Sequence, residues 1–167
     1  MQGKRIKESS ILLAQVMNPQ DANPAGNVHG GVIMKLIDTA AGAAAVKHSR
    51  SNCVTASIDR LDFHHPVFIG DLVTLKAGVT YTGKSSMEVG VRVESQNLLT
   101  GEIRHTVSAY MTFVALDKNG KPIAIPPLIL ETPEEQRRNR EAQSRRETRL
   151  REKTKEKACQ LNAESCD

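Results

Sequence analysis

Residues 26–46 have the sequence GNVHGGVIMKLIDTAAGAAAV, in which a glycine-rich loop runs into a long apolar segment. From residue 32 to residue 46, apolar side chains lie on nearly every side of a helical projection, a pattern typical of a helix that is buried all round. One carboxylate, Asp38, lies within this segment. Because an ionised carboxylate is costly to bury alone, Asp38 is expected to have a partner, a bound proton or a chemical role.

Runs of alternating apolar residues flank this predicted helix. One precedes it at 10–17, and four follow at 53–63, 72–81, 87–96 and 103–116. Period-two alternation predicts strands, and the short turns between the runs predict antiparallel neighbours, so residues 53–116 are expected to form a meander. One apolar helix combined with strands that are apolar on one face predicts an α+β fold in which the sheet wraps around the helix.

The composition limits the classes of partner. The 167 residues are 39% hydrophobic and 25% charged, and the net charge of +4 is spread along the chain, which does not indicate nucleic-acid binding. No apolar run approaches the roughly 18 residues that cross a membrane, so a cytoplasmic protein is expected. From residue 131 onward about half of the residues are charged, which predicts a folded domain over 9–125 followed by a tail, 131–167, that is a solvated helix or a disordered extension.

Several motifs of known chemistry are missing from the sequence. It contains no Gly-x-Ser-x-Gly elbow, no P-loop, no dinucleotide fingerprint and no His/Cys spacing typical of a metal site. Neither a metal nor a cofactor is therefore expected.

Three groups of residues occur in order along the chain. They are Asn27-Val28-His29-Gly30-Gly31 with Leu36-Ile37-Asp38, then Asp59-Arg60-Leu61-Asp62-Phe63 with Pro66 and Gly70-Asp71, then Val79-Thr80-Tyr81-Thr82-Gly83-Lys84-Ser85-Ser86-Met87-Glu88-Val89. Together they resemble the hot-dog-fold acyl-CoA thioesterases, the acyl-CoA hydrolase family that includes the mammalian cytosolic (brain) enzyme and its small bacterial relatives. The resemblance covers roughly residues 9–125.

The resemblance implies a five-stranded sheet around a central helix, edge-to-edge dimers that associate as a hexamer (a trimer of dimers), and hydrolysis of fatty acyl-CoA without metal or cofactor. It also implies a functional pair, a polar residue in the loop before the helix and an acidic residue within it, which fall on Asn27 and Asp38. The glycine-rich helix start would supply a backbone N–H to the thioester oxygen. We assign this role to Gly31, with Gly30 and His29 beside the substrate.

The chemistry of thioester hydrolysis agrees with these positions. The reaction needs an activated water and a site that stabilises an oxyanion, and a helix N-terminus without side chains offers free N–H groups there. Asp38 would act as general base or as a nucleophile, and Asn27 would orient the water or the thioester. The plain structural alternatives are a core carboxylate for Asp38 and a helix cap for Asn27.

The same two residues predict that each active site is shared between chains. At 1.5 Å per residue, Asn27 and Asp38 should be roughly 12–16 Å apart within one chain, too far to act on one carbon. If they act together, Asn27 comes from the partner subunit.

The segment Thr82-Gly83-Lys84-Ser85-Ser86 offers an amine, hydroxyls and backbone N–H groups to the phosphates of CoA. The alternative for this segment is an ordinary hairpin turn. For the whole protein, the alternative function is a non-catalytic acyl-CoA binding or sensing module, which would not need Asp38. A hot-dog dehydratase would need a catalytic histidine, for which His29 is the candidate.

Overall fold

A five-stranded antiparallel sheet and one long helix form the first compact unit of the chain, Met1–Leu130. The computed structural model describes residues 1–161. The elements are β1 (Lys4–Arg5), α1 (Ile6–Ser9), β2 (Ile11–Val16), a 3₁₀ turn (Pro19–Asp21), α2 (Gly30–Ser49), β3 (Asn52–Phe63), β4 (Leu72–Thr82), β5 (Ser86–Gln96), β6 (Ile103–Leu116), β7 (Leu128–Ile129) and α3 (Pro133–Leu161).

The strand order in the large sheet is β2-β4-β5-β6-β3. Strands β4, β5 and β6 form the predicted meander, but β3 pairs with β6, from Asn52 opposite Leu116 to Phe63 opposite Val107. The prediction of a single meander over 53–116 is therefore wrong at its first strand. The eight-residue connection between β3 and β4 has a reach of about 26 Å, whereas the three strand spacings that it crosses amount to about 14 Å.

The concave face of the sheet packs against α2, which contacts all five strands. The alternating apolar residues of β4, β5 and β6 point to this side and are buried, as predicted. This arrangement confirms the wrapped α+β architecture expected of a hot-dog fold. The residues that supply the face are Val73, Leu75, Ala77, Val79, Met87, Val89, Val91, Val93, Val107, Ala109, Met111, Phe113 and Ala115.

Only one face of α2 is buried in the single chain. The buried residues are Ile33, Leu36, Ile37, Ala40, Ala41, Ala44, Ala45 and His48. On the other face Met34 and Val46 are exposed, and so is Asp38. The expectation of a helix buried all round is therefore wrong for one protomer, because the sheet covers one side only. An apolar helix face in water indicates a surface that a second molecule covers.

His48, near the end of α2, joins the helix to both ends of the unit. Its Nδ1 lies 3.2 Å from Ser9 Oγ and its Nε2 lies 2.9 Å from the carbonyl oxygen of Pro126. Lys4 Nζ donates to the His48 carbonyl at 2.6 Å. Burial is the main cause that lowers the pKa of His48, so the ring is neutral at pH 7, and it holds together segments that are distant in sequence.

A second compact unit begins at Glu131 and contains α3. Thr132 Oγ1 accepts from Glu135 N, while Glu135 Oε2 accepts from Thr132 N, which is a capping box. The predicted charged tail is thus helical up to Leu161, and residues 162–167 of that prediction lie outside the described residues. Within residues 1–161 no helix is both long and apolar enough to cross a membrane.

Candidate active site

His29 caps the N-terminus of α2. Its backbone is extended (φ −63°, ψ 129°), and its Nδ1 accepts a hydrogen bond from Gly31 N at 3.0 Å. The N–H of Gly31 is therefore already hydrogen-bonded to the imidazole of His29. A substrate oxygen could reach that N–H only if the His29 ring turned away.

Gly30 is the first residue of α2, and its N–H has no hydrogen-bond partner within the described part of the chain. A Cβ placed on Gly30 would lie 3.5 Å from Phe63 Cζ, which is an ordinary van der Waals distance. The free N–H points out of the helix start, where the dipole favours negative charge. Of the two candidate oxyanion donors, Gly30 is therefore the one whose N–H is not already hydrogen-bonded within the described residues.

Asp38 is held by a residue that sequence reasoning missed. Thr55 Oγ1, on β3, donates to Asp38 Oδ1 at 2.7 Å. The other carboxylate oxygen, Oδ2, has no hydrogen-bond partner among residues 1–161, so it can accept a proton from water. No local signal points to Thr55, because it lies on another element 17 residues further along the chain.

The structure does not bring the predicted residues together within one chain. Asp38 lies eight positions after Gly30 on the same helix, which is about 12 Å along the axis. Asn27 lies before the helix, where its backbone bridges to Phe68. Nearby, Asn23 Oδ1 accepts from the N–H groups of Ala25 and Asn27, at 2.9 and 3.2 Å. The loop asparagines and Gly30 therefore form one group, and Asp38 with Thr55 forms another.

The segment from Thr82 to Ser86 is a tight turn between β4 and β5. Gly83 N donates to Ser86 O at 2.7 Å, and the carbonyl oxygens of Lys84 and Ser85 accept from Ile125 N and Ala115 N. Thr82 Oγ1 accepts from Leu128 N at 3.0 Å, while the Lys84 side chain is exposed. Strand register places Thr82 at the level of Thr55, three strands away, so the turn and Asp38 share one end of the sheet.

An open groove of about 690 Å³ continues the exposed face of α2 toward the start of β3. Ala43 and Val46 supply its apolar wall, and Lys47 and Arg50 lie at its rim. Among the described residues, no group of three His, Cys, Asp or Glu side chains is placed to hold a metal ion.

A model of the thioesterase superfamily matches residues 25–102 of this chain. The chain is 43% identical over 129 residues to the uncharacterized acyl-CoA thioester hydrolase YkhA of Bacillus subtilis, covering 77% of this chain and 75% of that one. It is 36% identical over 142 residues to the cytosolic acyl coenzyme A thioester hydrolase of Rattus norvegicus, covering 84% of this chain and 37% of the rat chain.

Solved structures that are similar to this chain include acyl-CoA thioesterases and hydrolases. The crystal structure of an apo-hexameric acyl-CoA thioesterase has a TM-score of 0.88 at 40% identity, over 91% of this chain and 97% of that one. The acyl-CoA hydrolase of Staphylococcus aureus, in complex with butyryl coenzyme A, coenzyme A and coenzyme A disulfide, has a TM-score of 0.88 at 33% identity, over 97% and 99%. Three further structures of the S. aureus hydrolase carry alanine in place of an aspartate, a threonine or an asparagine.

Proposed function

Because this chain belongs to the thioesterase superfamily, we propose that it is an acyl-CoA hydrolase, which converts fatty acyl-CoA and water to a free acid and coenzyme A. The observation that carries the proposal is that α2 holds both a candidate oxyanion donor and a candidate general base. A free N–H at Gly30 can receive an oxyanion, and Asp38, oriented by Thr55, can take a proton.

The reaction then proceeds by addition and elimination. The thioester oxygen accepts from Gly30 N–H, and Asp38 Oδ2 removes a proton from a water that attacks the carbonyl carbon. The tetrahedral intermediate carries its negative charge on the oxygen at Gly30. Its collapse breaks the C–S bond, and the CoA thiolate receives the proton from Asp38. If Asp38 instead attacks the carbonyl carbon as nucleophile, the C–S bond breaks, the CoA thiolate leaves and takes a proton from solvent, and an anhydride between Asp38 and the acyl group forms. Water then cleaves the anhydride to the free acid and regenerates Asp38.

Two chains complete each site. In one protomer Gly30 and Asp38 are about 12 Å apart, which is too far for both to act on one thioester. The 12-residue strand β3 leaves one edge of the sheet unpaired, and an exposed edge of this length is a template for pairing with another chain. We infer that two copies pair along β3 and place the Asp38 of one chain beside the Gly30 of its partner. Three such dimers would form a hexamer, the state of the apo-hexameric relative.

The alanine variants of the S. aureus hydrolase support Asp38 and Thr55 as a pair. In that protein the replaced aspartate precedes the replaced threonine by 17 positions, which is the separation of Asp38 and Thr55. The replaced asparagine precedes the aspartate by 15 positions, and 15 positions before Asp38 this chain has Asn23. Asn27, which the resemblance implies, and Asn23, which has this spacing, are the two candidates for the polar residue supplied by the partner chain.

The turn from Thr82 to Ser86 is the proposed site for the CoA phosphates. Its exposed Lys84 amine and the hydroxyls of Ser85 and Ser86 supply the donors that phosphates need. Thr82 can donate its hydroxyl hydrogen while it accepts from Leu128 N. His29 would lie beside the thioester and control access to Gly31. We place the protein in the cytoplasm, in line with the cytosolic rat relative.

Steady-state hydrolysis of a panel of acyl-CoA thioesters, followed by release of free thiol, tests this function. We expect turnover without added metal and unchanged turnover in EDTA. Loss of activity in EDTA that a divalent ion restores would contradict the proposed mechanism. Binding of acyl-CoA without turnover would instead favour the alternative of a non-catalytic acyl-CoA binding or sensing module.

A further inference from the structure

Phe63, the last residue of β3, lies beside the start of α2. It is directly opposite Val107, which is fully buried, so its side chain is on the helix side of the sheet. Nevertheless, 49% of Phe63 is exposed. Its ring reaches toward Gly30, since Cζ lies 3.5 Å from the position of a Cβ on that residue. Phe63 belongs to the motif at 59–63, to which the proposed reaction assigns no role.

The position of a bound thioester follows from Gly30. A carbonyl oxygen that accepts from Gly30 N lies at about 2.9 Å, and the carbonyl carbon is about 1.2 Å further away. The acyl α-carbon and the sulfur are bonded to that carbon. These atoms therefore lie next to Gly30, and Phe63 Cζ is 3.5 Å from the position that a Cβ on Gly30 would occupy.

We propose that Phe63 is a specificity-determining residue that forms a wall of the acyl pocket and packs against the first carbons of the acyl chain. The proposal rests on the proposed function, in particular on Gly30 as oxyanion donor. The acyl chain is the favoured occupant, because it gains free energy from burial against an apolar ring. The pantetheine arm instead carries amides that need hydrogen-bond partners, which phenylalanine lacks. Since Gly30 and Phe63 belong to the same chain, one protomer supplies both the oxyanion donor and this wall of the acyl pocket at each shared site.

The test is the dependence of kcat/KM on acyl length for acetyl-, butyryl-, hexanoyl- and octanoyl-CoA. Phe63→Ala is expected to lower the octanoyl-to-acetyl ratio of kcat/KM about tenfold relative to the wild type. A change of this size is what one methylene group in an apolar pocket typically contributes to the discrimination between two substrates. Phe63→Leu should keep most of the ratio, because leucine restores an apolar wall. The matched control is Val46→Ala, which shortens an equally exposed apolar residue in the groove at the other end of α2 and should leave the ratio unchanged.

Three results would overturn the assignment while leaving the proposed function intact. An equal loss of kcat/KM for all four substrates would show that Phe63 does not discriminate acyl chains, and dissociation of the oligomer would make Phe63 a subunit contact. A chain-length change in Val46→Ala and none in Phe63→Ala would place the acyl chain in the groove. The melting temperature and the size-exclusion profile of each variant show that it is folded and assembled. Absence of hydrolysis by the wild-type chain would overturn the proposed function, and this assignment with it.

Discussion

Replacing Asp38 by asparagine is expected to lower kcat by about 10²–10⁴-fold, the usual contribution of a general base. Asparagine keeps the size of the side chain and can still bond to Thr55 Oγ1, but it cannot take a proton from water. The fold should be unaffected, because Asp38 is exposed and its one described partner is the Thr55 hydroxyl. Stopped-flow or steady-state release of CoA, together with the melting temperature, measures both properties.

The matched control for the loss of one negative charge is Glu102→Gln. Glu102 lies in the turn before β6, outside the β3 edge, where it pairs with Arg104 at 2.6 Å on an exposed surface. This variant should retain wild-type turnover, since an exposed ion pair contributes little. Near wild-type turnover in Asp38→Asn would make Asp38 a structural carboxylate and would favour the binding-module alternative.

The second large effect is expected from Gly30→Pro, in which the backbone nitrogen is bonded to the proline ring and no longer carries a hydrogen. Proline is favoured at the first position of a helix, and the extended backbone of His29 (ψ 129°) suits a residue that precedes proline. The helix should therefore form, while the N–H that receives the oxyanion is gone. We expect kcat to fall by about 10²–10³-fold, as for other single oxyanion donors.

Gly30→Ala tests whether the amide hydrogen or the absence of a side chain is what matters at this position. Its Cβ would meet Phe63 at 3.5 Å, an ordinary contact, and the amide hydrogen remains. Turnover in Gly30→Ala should stay much closer to wild type than in Gly30→Pro. Similar losses in both variants would show that the glycine is needed for space. Full activity in Gly30→Pro would transfer the donor role to Gly31, the residue assigned from sequence, after rotation of the His29 ring.

Most elements could be predicted from sequence because their signals are local. The alternation of Val73 to Val79 and of Met87 to Val93 predicts a buried strand face, and the turn at Gly83 sets the neighbour of each strand. The partner of β3 could not be found in this way. Its pairing with β6 depends on a long connection and on which edge is free, and neither leaves a periodic pattern in the chain.

In the candidate site, too, the features with a local sequence signal could be predicted and those that depend on tertiary contacts could not. Glycines before an apolar helix identify the helix start, and a carboxylate among apolar residues identifies Asp38 as unusual. Its exposure, its bond to Thr55 and the capping of Gly31 by His29 follow from tertiary contacts. Helical projection also could not show that only one face of α2 is covered, since Met34 and Val46 have the hydropathy of core residues.

The central claim is that the Asp38 of one chain and the Gly30 of another serve the same thioester. It can be tested by co-expressing Asp38→Asn and Gly30→Pro chains, each with its own affinity tag, so that they mix before assembly. In a mixed dimer one site carries both changes and the other carries neither. Parallel pairings of Asp38→Asn with Asn27→Ala and with Asn23→Ala identify the asparagine that belongs with Gly30.

The deciding measurement is the turnover of oligomers purified through both tags, compared with each variant alone and with the two variants mixed after purification. We expect that one of the two sites in each mixed dimer recovers wild-type turnover, while the variants alone and the late mixture stay inactive. Because a hexamer can carry both tags without containing a mixed dimer, cross-linking of the two chains within a dimer must show that the dimers are mixed. Mixed dimers confirmed in this way that remain as inactive as the single variants would contradict a shared site.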